Sequence, residues 1–77
     1  MTKRELRRLI ASILRMDEGT LKDEELDQSR LSGWDSLAHL KIIIALEKET
    51  QRKFTAKQIS NMVSLEAIAR EIGVQNT

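Results

Sequence analysis

The segment at residues 37–46 constrains the fold of this 77-residue chain most, because all but two of its residues are apolar. Its isoleucine triplet, residues 42–44, has strand propensity, since β-branched side chains lose rotamer freedom in a helix. The flanks favour a helix instead, because Asp35 and Ser36 are typical of a helix start and good helix formers surround the triplet. We therefore predict a helix over residues 36–49. Its apolar arc consists of Leu37, Leu40, Ile43 and Ile44, widened by Ile42, Ala45 and Leu46.

A first helix is predicted over residues 3–15. Thr2 and Glu5 form a capping-box pattern, in which each side chain accepts a hydrogen bond from the other residue's backbone N–H. The apolar stripe of this helix, at helical spacing, is Leu6, Leu9, Ile10, Ile13 and Leu14.

Two shorter helices are predicted near the C-terminus. Thr55 and Gln58 repeat the capping-box pattern and begin a short helix that ends near residue 61. Ser64 caps a last helix, which Gly73 ends because glycine readily adopts the left-handed conformation found after helices. The residues expected to face the core are Phe54, Ile59, Met62, Leu65, Ile68, Ala69 and Ile72.

Residues 16–34 show no period, and Leu21, Leu26 and Leu31 stand alone in an acidic segment. We expect a long ordered loop that these three leucines pin to the core, and loops of this length are often functional. Basic residues dominate the predicted first helix, so the acidic loop is expected to lie against it.

The composition predicts a single all-α domain over residues 1–77. Three glycines and no proline favour helices over a turn-rich β-fold. Trp34 and Phe54 are the only aromatic residues, so the core is expected to be aliphatic, with Phe54 turned inward. The chain has no cysteine, and its apolar runs are far shorter than a membrane span. We expect a cytoplasmic protein that does not bind membranes.

Three other kinds of site are conceivable, and the sequence counts against each. Asp35, Ser36 and His39 suggest a hydrolase, but Asp35 is poorly placed to orient the imidazole and no oxyanion site is indicated. A single histidine with scattered carboxylates gives no metal-ligand spacing. The basic first helix could contact nucleic acid, yet stacking aromatic residues are missing and the next segment is acidic.

Ser36 can be interpreted in two ways. Serine is a preferred residue at helix N-termini, so it could simply cap the helix. Asp35 is available for that cap, however, and Gly33 permits close approach of another molecule. A helix N-terminus also favours a phosphate group attached at this position. The second interpretation is that the hydroxyl is exposed for covalent modification.

The stretch LSGWDSLAHLKIIIALEKE, residues 31–49, resembles the signature of acyl carrier proteins, which bind phosphopantetheine. In that family a glycine, one variable residue and Asp-Ser-Leu stand at the head of the second helix. Gly33, Asp35, Ser36 and Leu37 match this pattern in order. The likeness covers nearly the whole chain. It implies a four-helix acyl-carrier-like bundle with a long loop between helices one and two and a short third helix.

The resemblance also implies a function. Ser36 would carry a covalent 4'-phosphopantetheine, transferred from coenzyme A by a phosphopantetheinyl transferase with Mg²⁺. Asp35 would help to orient the transferase's metal site. The protein would not itself be an enzyme, and its arm would carry acyl or aminoacyl groups as thioesters between acyl-loading and acyl-accepting biosynthetic enzymes. The docking surface would consist of Leu37, Ala38, His39 and Lys41.

This chain also departs from typical family members. Its formal net charge is +1, and Ala38 and Lys41 occupy positions where relatives often carry Asp or Glu. Electrostatic complementarity governs partner choice, so we expect a carrier of a specialised pathway rather than of bulk fatty-acid synthesis. In having Trp34 at the variable position, the chain resembles stand-alone carriers of such pathways. We also expect the protein to be a monomer. Two alternatives stay open, an unmodified carrier-fold interaction module and a small basic-helix nucleic-acid binder.

Overall fold

The computed structural model describes residues 1–17, 19 and 22–74. These residues contain no β-strand and four α-helices: α1 (Lys3–Leu14), α2 (Ser36–Thr50), α3 (Ala56–Asn61) and α4 (Leu65–Ile72). The predicted all-α class and helix order are confirmed, and each helix ends within about one residue of its predicted bound. No helix in the described part of the chain is long and apolar enough to cross a membrane.

Side-chain caps begin all four described helices. In α1, the Thr2 hydroxyl accepts from the Glu5 N–H (3.1 Å) and the Glu5 carboxylate accepts from the Thr2 N–H (2.9 Å). Gly73 follows α4 with a φ of 70°, in the left-handed conformation that was predicted. These local interactions fix the helix ends, because they satisfy backbone groups that have no partner inside the helix. The four capping residues are Thr2, Asp35, Thr55 and Ser64.

The buried core joins α1, α2 and α4 with the segments that connect the helices. The core is aliphatic as predicted, apart from two aromatic side chains. The burial of Trp34, which is only 1% exposed and is the largest of the fully buried side chains, was not predicted. Phe54 is buried as predicted. The core cluster consists of Leu6, Ile10, Leu26, Trp34, Ile42, Ile43, Leu46, Phe54, Met62, Leu65 and Ile68.

The predicted single apolar arc of α2 is also wrong. Ile42, Ile43 and Leu46 are buried, whereas three apolar residues predicted to share their arc are more than half exposed. At about 100° per residue, the exposed three lie on the opposite side of the helix from the buried three. Helix α2 is therefore apolar on two sides, only one of which faces the core. The exposed residues are Leu37 (62%), Leu40 (51%) and Ile44 (56%).

The loop between α1 and α2 is tied to the start of α4. Leu26 is buried and Leu31 packs against the core, as predicted, while Leu21 lies outside the described residues. The Leu26 carbonyl accepts from the Leu65 N–H (2.8 Å), beside an isolated antiparallel bridge between Asp27 and Ser64. A short 3₁₀-helix, Asp23–Glu25, interrupts the loop and was not predicted.

The acidic loop lies against the basic helix, as predicted. The Asp23 carboxylate pairs with Arg7 and with Lys3, whose ammonium lies 3.5 Å away. Lys3 also pairs with Glu66 of α4 (2.5 Å), and this contact is the main reason that the pKa of Lys3 is raised. Two basic residues of α1 are thus neutralised within the protein.

Candidate functional site

Ser36 is the first residue of α2, and it is exposed. The cap is made by Asp35, whose Oδ1 accepts a hydrogen bond from the Ala38 N–H (2.8 Å). Within the described part of the chain, no group hydrogen-bonds to the Ser36 hydroxyl. The prediction that Ser36 is not needed for the cap is therefore confirmed. Its hydroxyl is available to a reagent that arrives from solvent.

The first turn of α2 also presents backbone donors. The first four N–H groups of a helix have no acceptor within the helix. In α2 the Asp35 carboxylate satisfies the Ala38 N–H, and the Asp35 carbonyl oxygen accepts the first regular helical bond, from the His39 N–H (2.9 Å). The N–H groups of Ser36 and Leu37 keep no partner among the described residues. These two donors and the positive end of the helix dipole favour an anionic group next to Ser36.

Gly33 leaves space on the approach to Ser36. The residue is exposed, and a Cβ atom placed on it would meet no heavy atom within 4 Å. Its φ lies outside the left-handed region, so the backbone does not require glycine here. Neither packing nor backbone conformation of the described chain explains this glycine. The predicted close approach of another molecule at Gly33 stays a prediction.

His39 is not the exposed docking residue that was predicted. It is half-buried, and both of its ring nitrogens are engaged. The buried indole N–H of Trp34 donates to Nδ1 (3.1 Å), and Nε2 lies 2.9 Å from the Ile59 carbonyl oxygen. An indole N–H can only donate, so Nδ1 must be unprotonated and the proton must sit on Nε2, which donates to Ile59. His39 therefore joins the end of the loop, α2 and α3.

This arrangement does not form the Ser-His-Asp geometry of a hydrolase. A catalytic serine needs a histidine nitrogen within hydrogen-bond reach to accept its proton. Both nitrogens of His39 face Trp34 and Ile59, and the Asp35 carboxylate caps the helix. Among the described residues, no group of three or more His, Asp and Glu side chains could hold a metal ion.

Two of the three remaining predicted docking residues are exposed, and the structure adds others to them. Leu37 and Lys41 are exposed, whereas Ala38 is half-buried. Leu37 and Lys41 belong to a larger set of exposed residues on the outer side of α2, which we call the outer row. Sequence reasoning missed three of its members, although a spacing of three or four residues places them on one face. The outer row consists of Leu37, Leu40, Lys41, Ile44 and Lys48.

Comparison with known proteins gave no relative. The chain matched no protein-family model, and neither curated proteins nor solved structures gave a match.

Proposed function

We propose that this protein is an acyl carrier protein and that Ser36 is the attachment point of a 4'-phosphopantetheine arm. The observation that carries the proposal is the exposed hydroxyl of Ser36 in the first turn of α2, where Asp35 supplies the cap. The fold leaves that hydroxyl unused, which is what a modification site requires. The resemblance of residues 31–49 to the carrier signature identifies the group that would be attached.

The chain's own residues would do three things at this site. The Ser36 oxygen forms the new ester bond to phosphorus, its proton goes to a base of the transferase, and the adenosine bisphosphate part of coenzyme A leaves. The N–H groups of Ser36 and Leu37 favour the negative phosphodiester next to the helix N-terminus. Asp35 holds the first turn of α2 in place through its bond to Ala38. The attached arm supplies a terminal thiol that holds an acyl or aminoacyl group as a thioester.

We further propose that the carrier is monomeric and serves a specialised cytoplasmic pathway. The positive net charge and the exposed Lys41 next to the site would disfavour enzymes built for strongly acidic carriers. Its partners would be a phosphopantetheinyl transferase and the enzymes that load and accept the acyl group. The ion pairs of Lys3 and Arg7 with acidic side chains count against nucleic-acid binding by α1.

The test is transfer of phosphopantetheine to the purified protein. The wild type is incubated with coenzyme A, Mg²⁺ and a promiscuous phosphopantetheinyl transferase, and its intact mass is recorded. We expect a gain of one phosphopantetheine in the wild type and none in Ser36→Ala. Ser12→Ala is the matched control, because Ser12 is an exposed serine on α1, and it should gain the group like the wild type. No gain in folded wild type with several transferases would favour the unmodified interaction module.

A further inference from the structure

Helix α2 exposes an apolar surface that the core does not use. Leu37, Leu40 and Ile44 are each more than half exposed, and they lie on the side of α2 opposite Ile43 and Leu46. Together with two lysines they form the outer row, which extends about 16 Å along the helix at 1.5 Å per residue. Single exposed leucines are normal on a protein surface, but a contiguous apolar set indicates an interaction site.

The charge along the outer row is positive. Lys41 and Lys48 are exposed within it. A groove of about 440 Å³ continues the row at the C-terminal end of α2 and adds two further cations. Its one carboxylate, on Glu47, accepts a hydrogen bond from the Phe54 N–H (3.0 Å). The residues that line the groove are Ile44, Glu47, Lys48, Gln51, Arg52 and Lys53.

Two further carboxylates lie on or next to α2, on Asp35 and Glu49. Asp35, at the N-terminal end of the row, accepts the capping hydrogen bond of α2. Glu49 lies on the α1 side of the helix, where it lines a different groove with Met1 and Arg8. Asp35 and Glu47 keep their negative charge, but the four cations at residues 41, 48, 52 and 53 outnumber them, so an approaching molecule meets an apolar strip with a net positive margin.

We propose that the outer row docks partner enzymes whose contact site is an apolar socket rimmed by carboxylates. The socket would take Leu37, Leu40 and Ile44, and the carboxylates would pair with Lys41 and Lys48. Such pairs steer association and suppress wrong partners, so the row would select against enzymes with basic docking patches. That the partners are enzymes acting on a carrier rests on the proposed function.

A second copy of the chain fits this surface less well. Two copies joined by a two-fold axis would bring the same patch against itself. Both sides of such an interface would carry the positive charges of Lys41 and Lys48, and like charges across an interface disfavour association. An acidic partner removes this repulsion.

The experiment measures which peptide the isotope-labelled 77-residue chain binds. One probe is a helical peptide whose leucine face is flanked by glutamates, and the other has the same leucine face flanked by lysines. We expect the acidic peptide to bind at least about tenfold more tightly at low salt, and its affinity to fall as salt is raised. The amide chemical-shift changes caused by the peptide should map to the residues of the outer row. Equal binding, tighter binding of the basic peptide or shifts elsewhere would overturn the proposal.

Charge-reversal variants sharpen the test. Lys41→Glu combined with Lys48→Glu should remove or reverse the preference for the acidic peptide. Arg70→Glu is the matched control, because Arg70 is exposed on α4 beside Lys3, and it should keep the preference. Concentration-dependent shifts of the outer row without peptide would show a second copy as the occupant and overturn the proposal.

Ser36→Ala separates this inference from the proposed function. This variant cannot be loaded, yet it should bind the acidic peptide as the wild type does. Ser36→Ala should lose loading and keep peptide binding, whereas the lysine variants should lose peptide binding and keep loading. Because the two properties change in different variants, the failure of one proposal can be distinguished from the failure of the other.

Discussion

Replacing His39 by alanine should destabilise the protein by about 2 kcal/mol, within the roughly 1–3 kcal/mol that a buried donor costs when it loses its acceptor. The donor is the indole N–H of Trp34, a side chain that is only 1% exposed. The Ile59 carbonyl also loses a partner, but it belongs to a half-buried residue and water can replace the bond. For a domain of this size, about 2 kcal/mol corresponds to a fall in melting temperature of roughly 8–16 °C.

Urea unfolding followed by circular dichroism is the assay. Trp34 is the only tryptophan, so fluorescence would not report on every variant of a double-mutant cycle. The cycle combines His39→Ala with Trp34→Phe, which removes the buried N–H. If the unsatisfied donor causes the loss, His39→Ala should cost at least about 1 kcal/mol less in the phenylalanine background. Lys41→Ala, an exposed change on the same helix, should stay within about 0.5 kcal/mol of wild type.

Two results would refute this reasoning. A cost below about 0.5 kcal/mol for His39→Ala would mean that the bond to Trp34 contributes little, as for an exposed residue. An equal cost in both backgrounds would mean that His39 acts through packing or through Ile59, and not through the indole N–H.

Three further predictions concern the helix starts and the loop. Asp35→Ala should lose about 1 kcal/mol of unfolding free energy, while Asp35→Asn keeps the cap. If Asp35→Asn is as stable as the wild type but is loaded more slowly, the negative charge of Asp35 serves the transferase reaction. Hydrogen bonds from the Thr2 backbone and hydroxyl hold the pKa of Glu5 below its ordinary 4.5. The stabilisation that Glu5 contributes is thus present above pH 4.5 and is lost as the pH falls through the lower pKa of the folded state. Glu5→Gln should flatten the decline of the urea midpoint between about pH 5 and 3, and an unchanged decline would contradict this. Asp23→Asn should cost at most about 1 kcal/mol, because the side chain is 38% exposed; the loss should shrink in high salt, and a larger, salt-independent loss would contradict surface pairing.

Local signals account for what the sequence predicted well. The capping residues Thr2, Thr55 and Ser64 act on N–H groups three residues away, so their effect can be read without the tertiary fold. The same holds for Asp35, which caps α2, and for Ser36, which follows it and takes no part in the cap. Both follow from adjacent positions at one helix start. The helix order and the candidate modification site were therefore accessible from sequence.

Tertiary contacts account for what was missed. Trp34 lies in an aperiodic loop, and its burial depends on the path of that loop and on its bond to His39. His39 itself had a detectable signal, because it precedes Ile42, Ile43 and Leu46 by three, four and seven residues and so shares their buried face. The 3₁₀-helix has no such signal, since three polar residues carry no hydrophobic period.

The modified residue can be located directly by tandem mass spectrometry. After reaction with coenzyme A, Mg²⁺ and a phosphopantetheinyl transferase, trypsin should release residues 31–41, because Arg30 and Lys41 bound a segment without other basic cleavage sites. This peptide holds two serines, Ser32 and Ser36, which fragmentation distinguishes. The carrier proposal predicts one phosphopantetheine on Ser36 and none on Ser32. An unmodified peptide from folded protein, with several transferases tried, or a modification at Ser32, would contradict it.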